Sequence, residues 1–141
     1  MPTNWSWHPQ QFTAALNRGL DMNVERAAIM LESDIVTKFP GSVQPGGRSG
    51  ATRAVREANR SKPGERPHVQ LGTLKRSITH DKLAELRRRV GSTLRPQNSP
   101  ASYALCLEYG TKFMAARPYF RASLRERNRD LVAMIGRKVP T

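Results

Sequence analysis

Between Pro40 and Gly72 the chain carries ten prolines and glycines in 33 residues, and no long helix or strand can run through such a stretch. Pro40, Gly41, Pro45, Gly46, Gly47, Gly50, Pro63, Gly64, Pro67 and Gly72 separate a leading segment from a longer trailing one. Among them lie Arg48, Arg53, Arg56, Arg60, Lys62 and Arg66, with few large apolar side chains. Such a composition buries too little surface to offset its ordering entropy. The reading is a flexible basic arm at about residues 41–70, crossed at most by a short helix over Ala51–Asn59. An arm this long within a small domain either orders on a partner or remains a solvated linker.

The 141 residues suffice for one compact domain with a hydrophobic core. Lys and Arg total 24 against 11 Asp and Glu, a net charge of +13. Residues 1–40 hold 3 basic and 4 acidic side chains, residues 41–95 hold 13 and 4, and residues 96–141 hold 8 and 3. The excess therefore sits in the middle and at the C-terminal end. It points to an anionic partner, nucleic acid or an acidic protein surface.

Several classes are excluded as expectations. Cys106 is the single cysteine, so no internal disulfide framework and no Cys-based zinc site is expected. His8, His68 and His80 stand in unrelated contexts without ligand spacing or a nearby nucleophile, so no cofactor, no metal and no enzymatic activity is expected. No apolar run approaches the length of a membrane span, and residues 1–10 do not read as a secretory signal. No fixed-period repeat is visible. A protein of a reducing cytoplasm is the default expectation.

The leading segment reads as one long amphipathic helix from Pro9 to about Lys38, ended by Pro40-Gly41. Phe12, Leu16, Leu20, Ala27 and Leu31 fall on one side, and Arg18, Asp21, Glu25 and Glu32 on the opposite one. Gly19 marks a place where that helix can bend or break. Trp5 and Trp7 alternate like a short strand or cap the core. Two strands are expected next, Ser77–Leu83 and Leu86–Val90, joined at Ala84-Glu85. Arg87, Arg88 and Arg89 are consecutive, so both faces of the second strand carry cationic charge. They read equally as protection of an edge strand or as a surface that meets DNA or an acidic neighbour.

In the last third, Tyr103–Leu107 reads as a short apolar helix running to Glu108-Tyr109-Gly110-Thr111, with Gly110 in the left-handed position that ends helices. Lys112–Ala116 reads as extended. Arg117-Pro118 then opens a final helix with apolar positions Phe120, Leu124, Leu131, Met134 and Ile135. Arg121, Arg125 and Arg129 line another side of it, either as a solvated face or as a contact stripe. Glu108 can accept hydrogen bonds from freed backbone, and Arg117 can form a bidentate pair with a carboxylate, with Glu108 as the candidate, or stand exposed. Tyr119 and Phe120 read as core and Cys106 as a small buried hydrophobe. The fold class is α+β: long N-terminal and C-terminal helices packed on a small antiparallel sheet, with a long basic loop.

The order of these short motifs resembles one family. Tyr103-Ala104-Leu105-Cys106-Leu107-Glu108-Tyr109-Gly110-Thr111 matches a YA-x-x-x-E-x-GT stretch, and Arg117-Pro118-Tyr119 a (R/Q)P(Y/F) stretch opening the last helix. Upstream, Pro63-Gly64-Glu65-Arg66-Pro67 and Leu71-Gly72-Thr73-Leu74-Lys75-Arg76-Ser77-Ile78 are similar to PGE-x-P and TG-x-L-(R/K)-x-SI stretches, with Leu71 where threonine is usual. Together they resemble the head–tail joining or tail-completion (neck) proteins of long-tailed bacteriophages. The likeness spans about Phe12 to Ile135. Each motif alone is weak; their shared order and spacing are specific.

The resemblance implies a structural virion protein without cofactor, located at the neck between head and tail and in the host cytoplasm before assembly. It implies copies of the subunit closing into a ring, six being favoured and twelve the other count. The ring would contact a head-side connector, the tail or its terminator, and genomic DNA in the lumen. It also implies structural roles for Tyr103, Ala104, Glu108, Gly110, Thr111, Arg117 and Pro118. Partner or DNA contacts would fall to Arg48, Arg53, Arg56, Arg60, Lys62, Arg66, Arg87, Arg88, Arg89, Arg121, Arg125 and Arg129. The other readings are a tail-terminator or minor tail protein, and a free basic nucleic-acid-binding protein.

Overall fold

The computed structural model describes residues 8–41, 60–68, 72–94 and 103–139. Helix α1, Pro9–Thr37, is the scaffold. A five-residue helix α2, Thr73–Ser77, leads into strand β1, Ile78–Ala84, which turns back as β2, Arg87–Ser92. Helix α3, Tyr103–Tyr109, and helix α4, Phe120–Ile135, complete the order. The α+β class expected from the pattern is the one observed, with a two-stranded antiparallel sheet. Trp5, Trp7 and the helix expected over Ala51–Asn59 lie outside the described residues.

Helix α1 presents Ala27, Leu31, Ile35 and, just past its end, Phe39 at four-residue spacing, all buried. Leu74, Ile78, Ala104, Leu107, Tyr119 and Leu131 close on that stripe to form the core, and the Tyr119 ring lies 5.5 Å from Phe39. Tyr119 is thus the core residue it was expected to be. The apolar positions nearer the start of α1 do not join it. Phe12 and Leu16 are exposed, as are Leu124 and Ile135 of α4. Cys106 is only half-buried.

Gly19 does not break α1, which is continuous across it. A Cβ there would lie 1.9 Å from Val139 Cγ1, so the glycine admits the chain that follows α4. Asn23, buried one turn further along, donates through Nδ2 to the carbonyls of Arg137 at 2.9 Å and Ile135 at 3.4 Å. It satisfies acceptors freed where α4 ends. α4 and the hairpin both pack on α1, so this helix sets where each of them stands.

The hairpin pairs Ile78 with Ser92, His80 with Val90 and Lys82 with Arg88, and a bulge between Lys82 and Ala84 shifts the register. Leu86 turns the chain with φ of 57°, a costly conformation for a branched residue. Its N–H donates to Asp21 Oδ1 at 2.9 Å, so α1 itself holds the turn in place.

Candidate functional site

The joint between α3 and α4 is built around one carboxylate. Glu108 is 5 % exposed. Its Oε2 accepts from the backbone N–H groups of Tyr119 at 2.9 Å and Phe120 at 3.0 Å, and its Oε1 from the N–H of Arg121 at 2.9 Å. These are donors that the first turn of a helix leaves without intrahelical partners, and negative charge is favoured there. Arg121 adds Nε to Oε1 at 3.0 Å and Nη2 to the Glu108 carbonyl at 2.8 Å, while its guanidinium covers the Tyr109 ring. Burial pushes the Glu108 carboxyl up, but the three amides and the guanidinium outweigh it and leave the group below its ordinary value.

This arrangement corrects three expectations. Glu108 pairs with Arg121 rather than Arg117. The last helix begins at Phe120, past Arg117-Pro118. Lys112–Ala116 is not an extended piece. Thr111 and Met114 exchange backbone hydrogen bonds of 2.8 and 3.2 Å, and a tight turn between them presents Phe113 almost fully to solvent. Gly110 does end its helix, at φ of +77°, and a Cβ there would lie 2.8 Å from both Met114 O and Ala116 N. Ala104 is buried in the core and Tyr103 exposed. Arg117 donates Nε to Ser61 O at 3.0 Å, and its own N–H to Leu107 O at 2.7 Å. Pro118 is half-buried beside it.

The cations expected to meet a partner divide into two groups. Arg66 is internal: it donates to Tyr119 O, to Ser123 Oγ at 2.7 Å and to Glu126 Oε1 at 2.9 Å. Arg88 is internal as well, with a side chain 6 % exposed. It grips both oxygens of Asp21, at 2.9 and 2.8 Å, and also binds Glu25. Those contacts hold the Asp21 carboxyl far below its ordinary value. The second strand is therefore not cationic on both faces, because the face turned to α1 is neutralised there. Arg121 belongs to the joint described above. The open cations are Arg60, Lys62, Arg87, Arg125 and Arg129, whereas Arg89 pairs at the surface with the exposed Asp81 at 2.8 Å. Arg48, Arg53 and Arg56 lie outside the described residues.

Side chains with no local signature complete the picture. Asp34, buried on α1, binds Lys38 at 2.9 Å and Arg127 at 2.7 Å. His80 on β1 stands between two α1 carboxylates, with Nδ1 2.5 Å from Glu32 and Nε2 3.0 Å from Glu25. The four-residue steps from Asp21 to Glu25 and the later Glu32 placed these acids on one helix face. Nothing in the sequence said that the face would receive a hairpin. Among the described residues, every carboxylate except Glu85 is bound to a cation or a backbone amide of its own chain. The unpaired charge left to the surface by the described residues is thus nearly all positive.

No family model, curated protein or solved structure matches the chain. Among the described residues, no helix is long and apolar enough to cross a membrane, and no three His, Cys, Asp or Glu side chains are placed to hold a metal ion.

Proposed function

We propose that the chain is a structural subunit of a phage neck, closing with copies of itself into a ring that joins the DNA-filled head to the tail. One observation carries the reading. The two stretches that most resemble neck proteins, Tyr103–Thr111 and Arg117–Phe120, form a single mechanical joint in which Glu108 clamps the start of α4. Their chemistry is that of positioning, and α4 is left with Arg125 and Arg129 on its open side. Among the described residues the surface is nearly free of unpaired carboxylates, which disfavours contact between copies in free solution through charge repulsion. Ring closure would then follow docking on an anionic template, either an acidic connector or the DNA passing through the lumen. The tail-terminator reading shares this surface and differs only in which ring is formed.

Co-expression with the products of the neighbouring genes, followed by electron microscopy, tests the reading. Rings that copurify with a connector or tail component are expected, with DNA binding that weakens steeply as salt rises. A chain that stays free of those partners yet holds nucleic acid at physiological salt is a dedicated nucleic-acid binder, and the neck reading fails.

A further inference from the structure

A cleft of about 570 Å³ opens between residues 60–68, the start of α3 and the 111–117 turn. Three nitrogen-bearing side chains line it, Arg60, His68 and Arg117, with no carboxylate among the described lining residues. Arg117 is fixed by its Nε bond to Ser61 O, and its two terminal nitrogens have no partner among the described residues. A guanidinium held at one edge and open at the other is ready for a two-oxygen acceptor. Arg60 is exposed beside it. His68 Nδ1 is buried and makes no hydrogen bond, and a buried polar atom in that state calls for an explanation. Tyr103, 60 % exposed, and Phe113, 87 % exposed, add aromatic surface to the same cleft. Exposed aromatic side chains beside free arginines mark recognition surfaces.

We infer that this cleft binds an acidic, extended segment of another protein, its Asp or Glu carboxylate received by Arg117 and Arg60 and an adjoining apolar residue covered by Tyr103 and Phe113. The inference does not rest on the neck reading. Charge complementarity selects the partner. A second copy is a poor donor, because Glu85 is the one unengaged carboxylate among the described residues. Duplex DNA carries its phosphates on a convex surface; it would reach an exposed cation such as Arg60 but not the half-buried Arg117 within the cleft. A peptide carboxylate enters such a recess, and Pro67 and Leu107 supply apolar wall for the chain that carries it.

The full chain can be titrated with a fluorescein-labelled peptide alternating Glu with Leu and Pro, with the same peptide carrying Gln, and with a single-stranded oligonucleotide. Anisotropy reports affinity, and the Arg117 Nε–H and His68 ring resonances report the place. The Glu peptide is expected to bind at least about tenfold more tightly than the Gln peptide and to move both resonances. Arg60→Gln, which removes an exposed cation with no partner among the described residues, should weaken binding without altering the fold. Arg117→Lys should weaken it further, since an ammonium cannot offer two parallel donors. Equal binding of the Gln peptide, no binding of the Glu peptide, or unmoved Arg117 and His68 resonances overturns the inference. So does an oligonucleotide that displaces the peptide and moves the same resonances. None of these outcomes bears on ring formation, which is read separately by microscopy.

Discussion

Arg121 Nε lies 3.0 Å from Glu108 Oε1, and the same carboxylate holds the backbone amides that begin the helix carrying that arginine. The carboxylate therefore acts as a helix cap supplied from a neighbouring helix. Glu108→Ala should cost about 3 kcal/mol, since it leaves buried amides unpaired, and Glu108→Gln about 1–2 kcal/mol, since one acceptor remains. Urea denaturation of both variants measures this. A loss in the alanine variant no greater than that of an ordinary surface substitution would refute the cap.

Gly110 is constrained twice, by a left-handed backbone and by the turn folded against it. Gly110→Ala should cost about 2–4 kcal/mol and lower Tm by on the order of 10 °C. Gly110→Asn should recover little of that loss. Asparagine tolerates the backbone angle, but its Cβ meets Met114 O and Ala116 N all the same. Thermal melts of the two variants separate backbone strain from the steric clash.

Arg88 neutralises Asp21 and Glu25, and both carboxyls stay below their ordinary values chiefly because of it. Such groups contribute stability that is present above the unfolded carboxylate pKa and is lost as pH falls through the folded one. Arg88→Met should lower Tm by several degrees at neutral pH, and the gap to the native chain should narrow below about pH 4. A gap that stays constant with pH would exclude ion pairing as its source.

His80 shows the opposite sign. Its hydrogen bond to Glu32 raises its pKa above the ordinary 6.5, burial works against that, and Glu25 adds to the rise. The resulting stability is fully present below pH 6.5 and is lost as pH rises through the folded value. Stability should therefore decline on the alkaline side of neutrality, and His80→Gln should flatten that decline. NMR titration of the His80 ring checks the direction; an apparent pKa below 6.5 would contradict it.

Much of the architecture was legible because it follows from local pattern. Pro9 and Pro40 bracket α1, Gly110 ends α3, and the turn near Ala84-Glu85 separates two strands, each within a residue or two of the expected place. The misplaced features depend on contacts that periodicity does not encode, some as short-ranged as one turn and some between distant segments. Lys112–Ala116 reads as extended until Thr111 and Met114 pair with each other. Phe12, Leu16, Leu124 and Ile135 keep a correct helical period but find no described surface to bury them.

The sequence by itself determined the α+β class, the long first helix, the breakers that divide the chain, and the sign and amount of the net charge. Composition and spacing of three to four residues are local properties, and these features depend on nothing else. Tertiary structure alone decided which cations are spent on carboxylates of the chain itself. Arg66 crosses to Ser123 and Glu126, Arg88 to Asp21 and Glu25, and Arg121 to Glu108, while Arg60, Arg125 and Arg129 stay open. An arginine reads the same in either role. Its role is settled by whether folding brings a carboxylate within about 3 Å of its guanidinium, a distance that sequence separation does not encode.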